Sequence, residues 1–498
     1  MTSTHAAPAT SLPLGAYAIA ALGAGIALTT RNPVQTTASI LALFALTRLL
    51  WRPGEPAVLL FAAGFQWLQV ATPVFIADFQ GLPISLTSYF PKVELAIWLG
   101  LAGVLSLSVG MRLGVRKLPP PITTEVDEQL RTLSVDRLFA LYIAWASFAA
   151  VLPYLVWRLL PIAQLLFAIG SLKWVFYILL GYATLRRRSK VIYFALATVI
   201  EFVAGIGFFS GFKTVFLICA LVILSGHVRV NLRMLLAGTV VAAVLLLSGL
   251  GWMSIRDEYR AFLNQGTGKQ VVLVSPTEQV TEFAGLVSNL EPEDLRGSVE
   301  RMFQRLAYVD YFAAVLDYVP RQRPFENGAL LWRSLKHILV PRFLDPSKDI
   351  LESDSEITMR YTGLSVASAD QGTSIGIGYM AEGYVDFGAY GMLILVLICG
   401  FTWGKMYSWL LSHAGISATG FALGTTLLID ASQFEIAEIK LLGGMVAEFL
   451  VLAIVLRFLM PGLHRWLARN PRADAGSTFS PENTSLDPAT LLGSALEP

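Results

Sequence analysis

Long runs of apolar residues alternate along the chain with shorter polar stretches that hold most of the charged residues. Each run has about 20 residues, which is enough for a helix to cross a hydrocarbon core of ~30 Å. The pattern predicts twelve helices, of which the eleventh spans only partly, near 14–30, 36–51, 56–77, 93–113, 137–157, 161–184, 191–209, 212–226, 233–254, 377–401, 402–430 and 441–461. We therefore expect an all-α polytopic membrane protein.

The distribution of Lys and Arg predicts the orientation of these helices. If the N-terminus lies in the cytoplasm, the inner loops and the tail receive 18 cations. The short outer loops then receive only Arg31, Lys92, Arg158, Lys213 and Lys440. Because basic residues favour the cytoplasmic side, both termini are predicted to be cytoplasmic. No basic residue precedes the first apolar run, so it is expected to be retained rather than cleaved as a signal.

The same alternation divides the chain into four parts. Residues 1–254 hold the first nine membrane helices, and residues 377–462 hold the last three. Residues 255–376 form one large extracytoplasmic loop, which has 13 Lys/Arg against 17 Asp/Glu. Apolar positions at helical spacing in 298–318 predict amphipathic helices there, so the loop is expected to be ordered. Residues 463–498 are predicted to be a disordered cytoplasmic tail.

Composition excludes several classes of protein. The chain is 55% hydrophobic and only 14% charged, with a formal net charge of +2. This argues against a soluble enzyme and against a nucleic-acid-binding domain. The two cysteines, Cys219 and Cys399, lie in apolar runs, so no disulfide framework is indicated. No cluster with metal-ligand spacing and no phosphate-binding glycine loop occurs, so we expect no metal ion, no cofactor and no nucleic-acid partner.

The most distinctive passage joins the large loop to the tenth predicted helix. In GTSIGIGYMAEGYVDFGAYGMLILVLICG, residues 372–400, glycines recur at spacings that allow close backbone approach. Glu382 and Asp386 are one helical turn apart, so their carboxylates share a face near the membrane surface. Acids at membrane depth are costly and usually face a cavity, which favours a functional role for Glu382. For Asp386, interfacial packing is an equally good interpretation.

The arginines of the large loop are candidates for binding an anion. Guanidinium groups bind phosphate in a bidentate manner and stay charged, which suits a lipid diphosphate head group. Arg256, Arg301 and Arg342 are the best candidates. The alternative is that they form salt bridges, for example Arg256 with Asp257.

A further pair lies in ATVIEFVAGIGFFSGFKTVF. Glu201 is a lone carboxylate inside an apolar run, and Lys213 lies at the outer end of the next run. Ionisable residues within a membrane are candidates for function, and Lys213 could bind a phosphate at the outer leaflet. The alternative is a hydrogen-bonded structural Glu201 and a Lys213 that extends to the interface.

The chain resembles the bacterial polysaccharide repeat-unit polymerases, the Wzy-type or O-antigen-polymerase-like membrane proteins. The resemblance rests on about twelve spans with one large late loop, and on motifs within roughly residues 200–410. In order, these are RMFQRLAYVDYFAAVLDYVP, FENGALLW, HILVPRFLDPSK and TSIGIGYMAEGYVDFGAYGMLI. The last is similar to the family's passage from loop into helix, Thr-x-x-Gly followed by Glu-x-Tyr-x-x-Phe-Gly-x-x-Gly.

The resemblance implies a GT-C-like architecture and metal-independent, inverting glycosyl transfer at the periplasmic face of the bacterial inner membrane. The donor and acceptor would be polyprenyl-diphosphate-linked oligosaccharides, with membrane lipids, a flippase and a chain-length regulator as further partners. Cations must stabilise the diphosphate leaving group, a role for Arg256, Arg301, Arg342 and Lys213. Glu382 would act as the base or orient the acceptor.

Three other interpretations remain open. A lipid-linked oligosaccharide flippase or exporter component would require charged residues through the helix centres, where few occur. An O-antigen ligase usually has a Gly-His pattern in its large loop, whereas this chain has only His337 there, in another context. A non-catalytic assembly component, with a loop that binds a chain-length regulator, is the third.

Overall fold

The computed structural model describes residues 14–156, 162–205, 212–225, 232–267, 271–295, 297–299, 307–340, 345, 352–367 and 374–468. Within these ranges the regular structure is helical, and the only bridge pairs Leu133 with Ala468. Among the described residues, seven helices are long and apolar enough to cross a membrane, namely Pro33–Leu50, Val58–Gln80, Val93–Gly114, Val135–Leu152, Ala163–Arg187, Tyr379–His413 and Glu438–Leu467. Three apolar helices are shorter, Gly15–Ala27, Val191–Ala204 and Thr214–Ile223.

The helices before the large loop follow one another with short connections. They are α1 (Leu14–Ala27), α2 (Pro33–Leu50), α3 (Val58–Gln80), α4 (Val93–Gly114), α5 (Thr123–Thr132), α6 (Val135–Val156), α7 (Ala163–Gly170), α8 (Leu172–Arg187), α9 (Val191–Ala204), α10 (Phe212–Leu224) and α11 (Leu232–Leu263). The loop and the C-terminal part contain α12 (Pro276–Ser288), α13 (Val309–Tyr318), α14 (Ala329–Leu339), α15 (Asp354–Thr362), α16 (Tyr379–His413), α17 (Ser417–Ile429), α18 (Glu438–Ile454) and α19 (Met460–Leu467).

Helices α4 and α16 pack side by side through glycines. Each carries a Gly-x-x-x-Gly pair, Gly110 with Gly114 on α4 and Gly400 with Gly404 on α16. A Cβ on Gly400 would lie 2.2 Å from the Leu107 carbonyl oxygen, so the two backbones are in direct contact. Small residues at this spacing let membrane helices approach closely, and this crossing is the central contact of the fold.

Helix α16 is a hairpin rather than one straight rod. Gly388 interrupts it with φ 66° and ψ −170°, a conformation that favours glycine. A Cβ on Gly383 would lie 3.1 Å from Leu395, twelve residues later, although that distance along a straight helix is about 18 Å. Residues 379–387, the re-entrant arm, therefore fold back against residues 389–413, the long arm. The ring of Tyr379 lies 6.1 Å from that of Trp403, well down the long arm.

Two helices of the large loop pack onto the membrane helices, and a third packs onto one of these two. Helix α13 lies against α4, α14 against α16 and α18, and α15 against α13. Helix α15 begins with a capping box in which Ser353 and Glu356 satisfy each other's backbone amides. This arrangement places the loop on the side of the bundle where the re-entrant arm begins and ends.

The all-helical, multi-pass prediction is confirmed at the level of helix type, length and apolarity. The predicted pair of helices at 377–401 and 402–430 differs from the structure, because α16 runs on to His413 and α17 begins only at Ser417. Hydropathy does not record a reversal of direction, so the fold-back at Gly388 was not predicted. Residues 300–306, at the centre of the predicted amphipathic helix, and most of the predicted tail lie outside the described residues.

Candidate functional site

Two irregular segments cross inside the bundle. Residues 374–378 lead into the re-entrant arm, and residues 430–437 connect α17 to α18. The Tyr379 amide donates to the Ile436 carbonyl over 2.8 Å. Gly378, with φ 87°, has room for no side chain because a Cβ would lie 2.5 Å from the Phe434 carbonyl oxygen. Irregular backbone within a membrane protein is tolerated where protein or a cavity satisfies its polar groups.

Two buried glutamines on α3 form hydrogen bonds with the irregular backbone. Gln66 donates from Nε2 to the Ala431 carbonyl over 2.7 Å. The Oε1 atom of Gln69 accepts from the Phe434 amide over 2.9 Å, and its Nε2 donates to Glu435 over 2.5 Å. Both side chains are almost fully buried. They hold the 430–437 segment at a fixed position between helices.

Glu382 connects the re-entrant arm to α18. Its Oε2 accepts the backbone amide of Glu438 over 2.7 Å, at the N-terminus of α18 where a helix favours negative charge. Glu382 is 3% exposed and Glu438 is 1% exposed. Glu382 Oε1 and both carboxylate oxygens of Glu438 have no hydrogen-bond partner among the described residues. Glu382 thus joins the re-entrant arm to the end of the 430–437 segment.

Asp386 has a comparable anchoring contact on the same arm. Its two carboxylate oxygens accept the amides of Leu330 and Leu331, at 3.0 and 2.7 Å, and so cap the first turn of α14. The packing interpretation of Asp386 therefore fits the structure. Glu382 and Asp386 each fasten one neighbouring helix to the re-entrant arm.

A first cavity, which we call cavity A, lies between the large loop and the irregular segments. Its volume is about 320 Å³, and its walls come from residues 308, 354, 374, 376, 430, 435, 436, 440, 441, 444 and 445. On its wall, Lys440 Nζ lies 2.6 Å from Asp354 Oδ2 and donates to Ser374 over 2.9 Å. Burial raises the pKa of Tyr308, so its phenol stays protonated at neutral pH.

A second cavity, cavity B, of about 330 Å³, lies among α8, α9, α10, α17 and α18. Lys173 Nζ lies 2.6 Å from Glu201 Oε2, and the Tyr142 hydroxyl donates to Glu201 Oε1 over 3.1 Å. On the opposite wall, Ser171 donates to Glu448 over 2.9 Å. Cavity B is therefore a polar chamber within an apolar bundle.

Asp430 is the residue that lines both cavities. It begins a short 3-10 turn, Asp430–Ser432, at the end of α17. Although protein surrounds it, Asp430 is exposed, because its side chain faces the cavities. Its carboxylate accepts no hydrogen bond from the described residues, in contrast to Glu201 and Glu448. Each cavity has three carboxylates and one lysine on its walls, which suits hydroxyl groups better than a diphosphate.

The arginines and the lysine predicted from sequence to bind phosphate lie elsewhere or outside the described residues. Arg256 forms an ion pair with Asp257 over 2.8 Å and lines neither cavity. Arg301 and Arg342 lie outside the described residues. The backbone of Lys213 is in the first turn of α10, its side chain is not described, and its neighbour Thr214 lines cavity B.

A family model for a domain of unknown function, DUF8712, matches residues 122–470. The chain belongs to the DUF8712 family. No curated protein and no solved structure matches it. The DUF8712 region contains every wall residue of cavities A and B, whereas α3 and α4 precede it.

Sequence reasoning did not select Asp430 of this DUF8712 protein as a candidate. Asp430 and Glu448 stand out as isolated acids in apolar runs, which is a usable signal for a polar chamber. Only the fold shows that Asp430 belongs to two cavities at once. Among the described residues, no group of three or more His, Cys, Asp or Glu side chains is placed to hold a metal ion.

Proposed function

We propose that this protein polymerises polyprenyl-diphosphate-linked oligosaccharide repeat units into a surface polysaccharide at the periplasmic face of the bacterial inner membrane. The topology of the proposal has twelve spans, cytoplasmic termini and residues 255–376 on the periplasmic side. The product would be an O-antigen, a capsule or an exopolysaccharide. The reaction transfers a growing glycan from its lipid diphosphate to a hydroxyl group of the next lipid-linked unit, without a metal ion or a nucleotide sugar.

The observation that carries the proposal is the pair of polar cavities that meet at Asp430. Ligand sites are usually cavities of a few hundred Å³ or more with a few convergent polar groups, as here. Sugar residues are usually bound by hydrogen-bonding groups and aromatic faces. The cavity walls offer both, with carboxylates and the hydroxyls of Ser374 and Ser171 for hydrogen bonds and the rings of Trp174 and Tyr308 as aromatic faces. Two adjacent chambers fit a reaction that brings two sugars together.

The position of the cavities also supports the proposal. Tyr308 and Asp354 come from the large loop, so cavity A lies at the side of the bundle that the Lys/Arg distribution predicts to be periplasmic. Exposed apolar side chains on the membrane helices, such as Ile394 and Ile398 on α16, provide a surface for lipid tails. A lipid-linked substrate could thus lie along the bundle with its sugars toward the cavities.

The diphosphate requires cations outside the two acid-rich cavities. Lys213 is a candidate because the next residue is on the wall of cavity B. Arg256, Arg301 and Arg342 remain candidates for the same role. Transfer needs these cations because negative charge develops on the diphosphate as its bond to the sugar breaks.

A lipid-linked oligosaccharide flippase is the second candidate. The irregular segments at 374–378 and 430–437, with Glu382 and Glu438 at their crossing, are typical of transporters with discontinuous helices. Coupling to a cation or proton gradient would use such carboxylates. The two candidates predict different glycans on the cell.

The test is the size of the glycan on cells that lack the gene. For a polymerase, those cells carry single capped repeat units, and wild-type complementation restores long chains. Unchanged long chains in the deletion would overturn the proposal. The absence of any exported repeat unit would instead support the flippase.

A further inference from the structure

We propose that Asp430 is the base of the transfer reaction and that cavities A and B hold the two reacting sugars on either side of it. This inference rests on the proposed function. It differs from the prediction from sequence, which assigned the base to Glu382.

Accessibility separates the two carboxylates. Glu382 is 3% exposed, lines neither cavity and binds the Glu438 amide through Oε2. Asp430 is exposed to both chambers. A base must come within hydrogen-bond reach of the proton it removes, so the geometry favours Asp430.

The other carboxylates of the walls already have partners. Asp354 pairs with Lys440, Glu435 accepts from Gln69, and Glu201 pairs with Lys173. Glu448 accepts from Ser171 over 2.9 Å. Among the described wall residues, Asp430 is the carboxylate whose oxygens accept no hydrogen bond. It can therefore accept one from a substrate hydroxyl without breaking an existing contact.

Its placement in the chain fixes its direction. Asp430 follows the last residue of α17, and the Ser432 hydroxyl donates back to the Ile429 carbonyl over 2.7 Å. Gln66 holds the next residue, Ala431, by its carbonyl. The carboxylate is thus held on a rigid turn at the junction of the cavities rather than on a free loop.

The proposed step is a single displacement. The acceptor hydroxyl gives its proton to the Asp430 carboxylate as its oxygen bonds to the anomeric carbon of the donor sugar. The bond between that carbon and the diphosphate oxygen breaks, and its electron pair leaves with the polyprenyl diphosphate. Asp430 then returns the proton to solvent. The configuration at the anomeric carbon is inverted, and no oxidant, reductant or further reactant is required.

The first test compares polymerisation rates of purified protein in lipid vesicles, with lipid-linked repeat units extracted from cells that lack the gene. We expect Asp430→Asn to lower the rate by roughly 10²–10⁴-fold, the usual contribution of a general base. The matched control is Asp317→Asn, because Asp317 on α13 pairs with the exposed Arg321 and lines neither cavity. A rate for Asp430→Asn within about threefold of wild type would overturn the assignment.

A second test addresses the case in which Asp430→Asn does not fold. In a background of Cys219→Ala and Cys399→Ala, Asp430→Cys is assayed before and after alkylation of one preparation. Iodoacetate adds a carboxylate and is expected to raise the rate at least tenfold, whereas iodoacetamide adds a neutral amide of similar size and is not. Equal effects of the two reagents would contradict a role as base.

These outcomes also separate this inference from the proposed function. If wild-type protein makes no polymer in the same assay, the polymerase proposal fails. If wild-type protein and Asp430→Asn both make polymer, the polymerase proposal stands and only the assignment of Asp430 fails.

Discussion

The contact between α4 and α16 gives the sharpest prediction about stability. Gly400 lies against the backbone of α4, where an added Cβ would sit 2.2 Å from the Leu107 carbonyl oxygen and 3.0 Å from its carbonyl carbon. Ordinary van der Waals contact begins at about 3.4 Å. The change Gly400→Ala therefore requires the helices to separate by about 1 Å.

The cost can be estimated from the atoms involved. Inserting a methyl group into a packed interior typically costs about 1–3 kcal/mol. Here the obstacle is backbone that cannot change rotamer, so we expect a value near 3 kcal/mol. At roughly 2 °C per kcal/mol, as for larger domains, the midpoint of thermal unfolding should fall by about 6 °C.

The assay is thermal unfolding of the purified protein in detergent, followed by tryptophan fluorescence. The matched control is Gly64→Ala on α3, where an added Cβ meets nothing within 4 Å. In open space within a helix, Ala is favoured over Gly by about 0.5–1 kcal/mol, so this variant should be at least as stable as wild type. If Gly400→Ala and Gly64→Ala unfold at the same temperature, the close backbone crossing is refuted.

Three further predictions concern buried charged groups. Burial raises the pKa of Asp310 to about 6 from its usual 3.8, so its contribution to stability is present below pH 4 and is lost as the pH rises through 6. The free energy of unfolding changes by about 3 kcal/mol over this range. Asp310→Asn should therefore unfold at a higher temperature than wild type at pH 7 but not at pH 4. Lys173→Met removes the cation that neutralises buried Glu201 and should cost about 3–5 kcal/mol, whereas adding Glu201→Gln should recover part of that loss in the same unfolding assay. Glu382→Ala removes the acceptor of the Glu438 amide and should cost about 1–3 kcal/mol, whereas Glu382→Gln keeps an acceptor and should cost less.

Each of these predictions has a contradicting result. A stability difference between Asp310→Asn and wild type that does not change between pH 4 and 7 would refute the raised pKa of the Asp310 carboxyl. Additive losses from Lys173→Met and Glu201→Gln would show that the two residues do not interact. Equal stability of Glu382→Ala and Glu382→Gln would mean that the contact with α18 contributes nothing.

The sequence predicts where the apolar helices lie, but not how their directions change or how they pack. Hydropathy predicts the approximate positions of the apolar helices among the described residues, because each helix must present about 20 apolar residues to lipid. It could not predict the hairpin at Gly388, because the apolar run continues through the reversal. The glycines of 372–400 correctly indicated close backbone approach, although only the structure shows that Gly400 meets Leu107.

For the candidate site, the sequence indicated individual residues but not their partners. Glu382 stood out in the sequence because it is an acid among small residues, and the structure gives it a partner in the Glu438 amide. Glu201 was paired with the nearby Lys213 in the sequence argument, whereas in the structure it pairs with Lys173, 28 residues earlier. Pairings between helices depend on packing, which local spacing does not encode. The shared position of Asp430 depends on packing for the same reason.

Reconstitution is the most direct test of whether this protein polymerises lipid-linked repeat units. The purified protein is placed in vesicles with lipid-linked repeat units extracted from cells that lack the gene, and the products are sized by gel electrophoresis. If the protein is a polymerase, it should form a ladder of glycans that differ by one repeat unit, without nucleotide sugar. Repeat units that stay single, with properly folded protein present, would contradict it.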